Sequence, residues 1–87
     1  MMGTPLYMAP ELAGGAPATS ASDVFAFGIV AYEMLAGKSP FAMPPVLLAM
    51  AGQKLPTPPR IEWEIVLRCL LPDPSDRPSA TELASLA

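Results

Sequence analysis

A single cysteine, few basic residues and no apolar run of membrane-spanning length set the first limits on this 87-residue chain. Cys69 alone excludes an internal disulfide and fits a reducing, cytoplasmic setting. It sits among Val66, Leu67, Leu70 and Leu71, the surroundings of a buried inert thiol rather than of a reactive thiolate. Five Lys and Arg stand against eight Asp and Glu, a net charge of −3. That balance offers no basic patch, so neither nucleic acid nor an anionic membrane surface is expected as a partner. The longest greasy stretch, Val24 to Tyr32, falls far short of the ~20 residues that cross a bilayer. The first residues carry no basic segment followed by an apolar core of signal-peptide type. The reading is of a soluble domain. The methionines show no metal-ligand spacing.

About half the residues are apolar and 15% are charged, too greasy and too weakly charged for a disordered chain. Twelve prolines punctuate it into short elements and disfavour long sheets, because proline cannot donate to a strand ladder. No alternating strand pattern of useful length occurs, and the fold class is all-α. The spacing predicts a central helix over Asp23 to Ala36, with Ser20 and Asp23 as a capping box and Gly37 as the stop. Nearly every face of that helix is apolar, so it needs protein neighbours all round. A second helix is expected over about 45–51, with Pro45 in its first turn and Gly52 after it. A third is expected over about 60–71, with Trp63, Val66, Leu67 and Leu70 as one packing stripe and Glu64–Arg68 as an i, i+4 pair. A fourth over about 80–86 begins with a second capping box, Ser79 and Glu82. Residues 1–20 read as loop with at most one helical turn near Glu11, and Pro72 to Pro78 as a rigid turn.

Three segments, in order and suitably spaced, resemble the protein kinase family. Gly3-Thr4-Pro5-Leu6-Tyr7-Met8-Ala9-Pro10-Glu11 is similar to the end of the activation segment with its A-P-E motif. Ser22-Asp23-Val24-Phe25-Ala26-Phe27-Gly28 resembles the start of the family's central helix, with Phe25 where tryptophan is usual. Cys69-Leu70 through Asp73-Pro74 to Arg77-Pro78-Ser79-Ala80 resembles its closing stretch. Gly3, Thr4 and Tyr7 match the serine/threonine type. The resemblance implies a partial kinase domain over 1–87, equivalent to later helices of the large lobe. The implied parent phosphorylates protein serine or threonine with ATP and Mg. The chain holds no histidine, no asparagine and no G-x-G-x-x-G, and its three aspartates fall in segments matched to other roles. It therefore carries none of the family's catalytic, nucleotide or metal residues, as though cut within the activation segment or read from a misassigned start at Met1. The alternatives are a non-catalytic kinase-like binding module, a pseudogene fragment, or an unrelated small helical protein.

The resemblance also implies roles for single residues. Glu11 and Arg77 would form a buried ion pair pinning the substrate-docking loop; without it they read as two solvated charges on proline-rich turns. Asp23 would anchor the catalytic loop in a complete domain, and in this chain reads as a carboxylate satisfying its own first turn. Thr4 would bridge catalytic residues that this chain lacks. Met2, Pro5 and Met8 are either the apolar loop receiving a substrate residue or a generic greasy loop. Glu33 either recognises a basic substrate residue or faces solvent alone. Val30 and Met34 resemble the floor of an apolar column, and simple core is the preferred reading. The central-helix face carrying Phe27, Val30 and Met34 is the one expected to lie bare and to drive self-association.

Overall fold

A computed structural model describes residues 5–85. Those residues form helices and loops with no strand among them. The central helix, α1, runs Ser20–Ala36 and starts three residues earlier than the sequence spacing suggested. Its cap is Thr19, not Ser20. The Ser22 N–H donates to Thr19 Oγ1 at 3.2 Å, and the Thr19 N–H donates back to Ser22 Oγ at 2.7 Å. The buried face decides this register. Phe25, Ile29 and Tyr32 point inward and are essentially inaccessible, which puts Ser22 on the buried side and Asp23 on the exposed one. A buried hydroxyl can be satisfied locally, as Ser22 is by donating to the Thr19 carbonyl at 2.9 Å, whereas a buried carboxylate would lose its hydration. Gly37 ends the helix at φ 78°, its N–H returning to the Glu33 carbonyl.

Three short helices complete the fold. α2 spans Pro45–Met50 and packs against a 3-10 turn at Pro10–Gly14 and another at Pro5–Tyr7. Residues 5–19 thus hold two helical turns where at most one was expected. α3 covers only Glu64–Cys69. Upstream, Pro58 and Pro59 remove backbone donors and the Tyr32 hydroxyl grips the Pro59 carbonyl at 2.7 Å, holding the approach extended. Downstream, Pro72 disfavours helix at Leu71. α4, Ala80–Ala84, lies lightly against α1. The Ser79 hydroxyl accepts from the Glu82 N–H at 3.0 Å, but the Glu82 carboxylate turns to Arg68. The expected Glu64–Arg68 pair is therefore replaced by Arg68–Glu82 at 3.0 Å and a loose Arg60–Glu64 contact at 3.8 Å.

One core joins Ala9, Phe25, Ile29, Tyr32, Phe41, Val66 and Leu70. Phe25 and Phe41 stack nearly parallel with ring centres 6.0 Å apart. Gly28 lets α3 approach closely, since a Cβ there would fall 2.6 Å from the Cys69 Cβ. Trp63 does not join the core. It precedes α3 in non-helical backbone, off the Val66–Leu70 stripe, and is 55% exposed. Val30 and Met34 are not core either, at 44% and 81% exposure, and Phe27 beside them is 52% exposed. The helix carries more apolar faces than its neighbours cover. No helix among the described residues is long and apolar enough to cross a membrane.

Candidate functional site: an anchored loop

Arg77 follows a 3-10 turn at Pro74–Asp76, where Asp73 caps through the Ser75 N–H at 2.9 Å. This turn points the Arg77 side chain back into the molecule, where it is fully buried. A buried guanidinium is tolerable only when its donors are met and its charge is paired. All five N–H groups find acceptors. Nη1 and Nη2 grip the Glu11 carboxylate as a fork at 2.7 and 2.8 Å. The remaining Nη1 donor reaches the Ala21 carbonyl at 3.0 Å, and that of Nη2 reaches the Pro72 carbonyl at 3.2 Å. Nε donates to the Leu71 carbonyl at 2.8 Å. The guanidinium carbon also lies 4.8 Å from the centre of the Phe25 ring, within cation–π range.

One side chain thereby joins the loop at Glu11, the first turn of α1, the segment leaving α3, and the core. Lysine, with three donors and no planar fork, could not reproduce this. Burial pushes the Glu11 carboxyl up, but the Arg77 hydrogen bonds, a backbone N–H and the Arg77 charge outweigh it and hold the group below its ordinary 4.5. Burial pushes the Cys69 thiol up to about 11, against the pull of Arg68 and Arg77, so it is a protonated thiol at neutral pH.

The loop has a second tie. The Tyr7 hydroxyl donates to Glu33 Oε1 at 3.3 Å, so Glu33 is neither alone nor fully solvated. Pro5 and Met8 line an apolar cleft of about 320 Å3 with Leu12, Val46, Leu47 and Met50. Thr4 and Met2 lie outside the described residues. Asp23 is exposed beside Tyr7, Met8 and Ser22, and its carboxylate has no hydrogen-bond partner among the described residues. It does not satisfy its own first turn, because Thr19 already does so.

Sequence reasoning singled out Glu11 and Arg77 but missed the Ala21, Leu71 and Pro72 carbonyls. Backbone acceptors leave no residue-type signature, and only the number of donors on a buried arginine hints that they must exist. Phe25 stands out in the sequence only as a replacement for the usual tryptophan, and nothing there signals its place beneath the guanidinium.

A protein kinase domain model aligns with residues 1–86. The chain belongs to the protein kinase family. It is 43% identical over 89 residues to the serine/threonine-protein kinase PkaA of Streptomyces coelicolor, covering 95% of this chain and 16% of that protein. It is 36% identical over 91 residues to PkaB of the same organism, covering 98% and 22%. To PknA of Mycobacterium tuberculosis it is 50% identical over 60 residues, covering 68% and 14%. The chain thus spans about a sixth to a fifth of the length of PkaA and PkaB. Kinase chemistry uses a nucleotide and divalent metal. No three His, Cys, Asp or Glu side chains cluster among the described residues, and Asp73 is engaged with both Ser75 groups. These donors do not fit a nucleotide–metal site, and no catalytic step is assigned to them.

Proposed function

We infer that this chain is the loop-anchoring and scaffolding part of a serine/threonine protein kinase whose whole form transfers phosphoryl groups from ATP, with Mg, to protein substrates. The two-pronged grip of Arg77 on Glu11, with the other three guanidinium donors on backbone carbonyls, carries the reading, because it ties the Glu11 loop to α1 and to the segment after α3. In phosphoryl transfer the protein contributes positioning and electrostatics. Here Arg77 holds the backbone from Ala9 to Glu11, Tyr7 and Glu33 hold the preceding turn, and Pro5 and Met8 present an apolar cleft to a protein substrate. Thr4, next to Pro5 in the sequence, belongs to the same substrate loop in this reading. The bare Asp23 carboxylate is available to accept backbone N–H groups from a catalytic loop. A cytoplasmic setting fits both the use of ATP and the lone protonated thiol of Cys69.

The test has two arms. The isolated chain should transfer no phosphate and bind Mg-ATP no more tightly than about 1 mM. Placed in PkaA in exchange for the matched segment, it should support phosphorylation of a protein substrate, and Arg77→Ala in that chimera should abolish it. Nucleotide binding by the chain alone, or a folded chimera that is inactive, defeats the reading.

A further inference from the structure

The cavity of about 440 Å3 beneath the segment from Leu55 to Arg60 lies away from the Pro5–Met8 cleft and plays no part in the reading above. Its walls are held. Leu55 and Ile61 pack on the core, and the Tyr32 hydroxyl grips the Pro59 carbonyl, so three prolines between them span an extended strap. The opposite wall is α3, where Leu67 and Arg68 stand three and four residues after Glu64 on one face. The floor is apolar, from Leu55, Leu67, Leu70 and Leu71. Two guanidiniums stand at the rim. Arg68 spends only Nη1, on Glu82, leaving Nε and Nη2 without partners among the described residues. Arg60 is mostly exposed, and its 3.8 Å contact to Glu64 is too long for a hydrogen bond. With Glu64 and Glu82 against Arg60 and Arg68 the rim is balanced in charge, and what it offers an anion is the guanidinium N–H groups that neither carboxylate takes. Size, apolar floor and a few convergent polar groups are the attributes of a small-molecule site.

We propose that this cavity binds a small amphipathic carboxylate, its apolar body on Leu55, Leu67 and Leu70 and its carboxylate on Arg60 and Arg68. Guanidinium forks suit planar carboxylates. The cavity wall also includes Leu71 and Pro72, whose carbonyls accept from Arg77. An occupant therefore braces the segment that holds the loop anchor.

The probe is 4-phenylbutyrate, with its neutral amide as control, titrated into the full chain and followed by amide chemical shifts. Shifts should concentrate in residues 55–72 with a dissociation constant near 1 mM or tighter. The amide should bind at least about tenfold more weakly, as expected on losing a charge-assisted pair. Arg60→Gln, which alters an exposed side chain, should weaken the acid several-fold, and Arg68→Gln should do the same. Equal binding of acid and amide, an unchanged constant in Arg60→Gln, or no saturable shifts would overturn the proposal. So would shifts centred on Phe27, Val30 and Met34, which would mean adhesion to the bare face of α1.

Discussion

Arg77 concentrates much of what holds this molecule in one conformation, and its contacts make its contribution separable from those of the other arginines. Arg60 and Arg68 are in solvent-exposed pairs, each worth about 0–1 kcal/mol. Removing Arg77 leaves Glu11 half-buried and unpaired, opens three backbone carbonyls and empties the space over Phe25. Arg77→Ala should cost about 3–5 kcal/mol, against within about 0.5 kcal/mol for Arg60→Ala. Urea midpoints of the variants check this, and equal shifts would mean that the anchor contributes no more than a surface pair. The same anchor sets an acid response. The folded Glu11 carboxyl sits below its unfolded value, so its stabilisation is complete above about pH 4.5. As pH falls further the unfolded chain binds more protons than the folded one, and stability declines through the folded pKa. Glu11→Gln should lower stability at neutral pH and flatten that part of the acid profile, measured by denaturant melts at pH 3 to 7.

At the scale of elements, the contact of α1 with α3 depends on Gly28. Alanine is intrinsically the better helix former by about 1 kcal/mol. Against that, its methyl would stand 2.6 Å from the Cys69 Cβ and 3.1 Å from Leu70 Cδ2. The first contact is to a Cβ, which cannot swing away without moving the α3 backbone. Overpacking of this kind costs about 1–3 kcal/mol, so Gly28→Ala should lower the melting temperature despite the helix preference. A raised melting temperature would show that α3 is loosely held. Helix starts and stops were legible where a local side-chain rule decided them, as at Gly37, Pro45 and Ser79. They were misjudged where tertiary contact chose between equivalent local options. Thr19–Ser22 and Ser20–Asp23 have the same spacing, and only the inward face of Phe25, Ile29 and Tyr32 selects the first. Glu82, fourteen residues from Arg68, outcompetes Glu64 because α4 brings it within 3.0 Å.

For the whole molecule, the imbalance lies in α1. Phe27, Val30 and Met34 form an exposed apolar row on a helix whose opposite face, with Phe25, Ile29 and Tyr32, is covered. Hiding an apolar patch of about 400 Å2 is worth on the order of 10 kcal/mol at 25 cal/mol per Å2, comparable to a domain's whole net stability. The isolated chain should therefore self-associate through this row or bind a hydrophobic dye strongly. Sedimentation should show species above monomer mass, and Val30→Glu with Met34→Glu should return it to monomer. A clean monomer with no dye binding in the unaltered chain would mean that α2 to α4 rearrange to cover the row.

The all-α class and the central apolar helix are legible in residue types at short spacing, and three motifs kept in order carry the resemblance to the family, which alone implied that Glu11 pairs with Arg77. The tertiary structure alone decided which faces of α1 are covered, that Trp63 stays outside the core, and which three carbonyls complete the arginine's shell. The physical reason is common to all three. An apolar side chain states a demand for burial and a guanidinium a demand for acceptors, but neither names the neighbour that meets it. Chain segments far apart in sequence supply that neighbour, and backbone carbonyls that answer a side chain look alike at every residue.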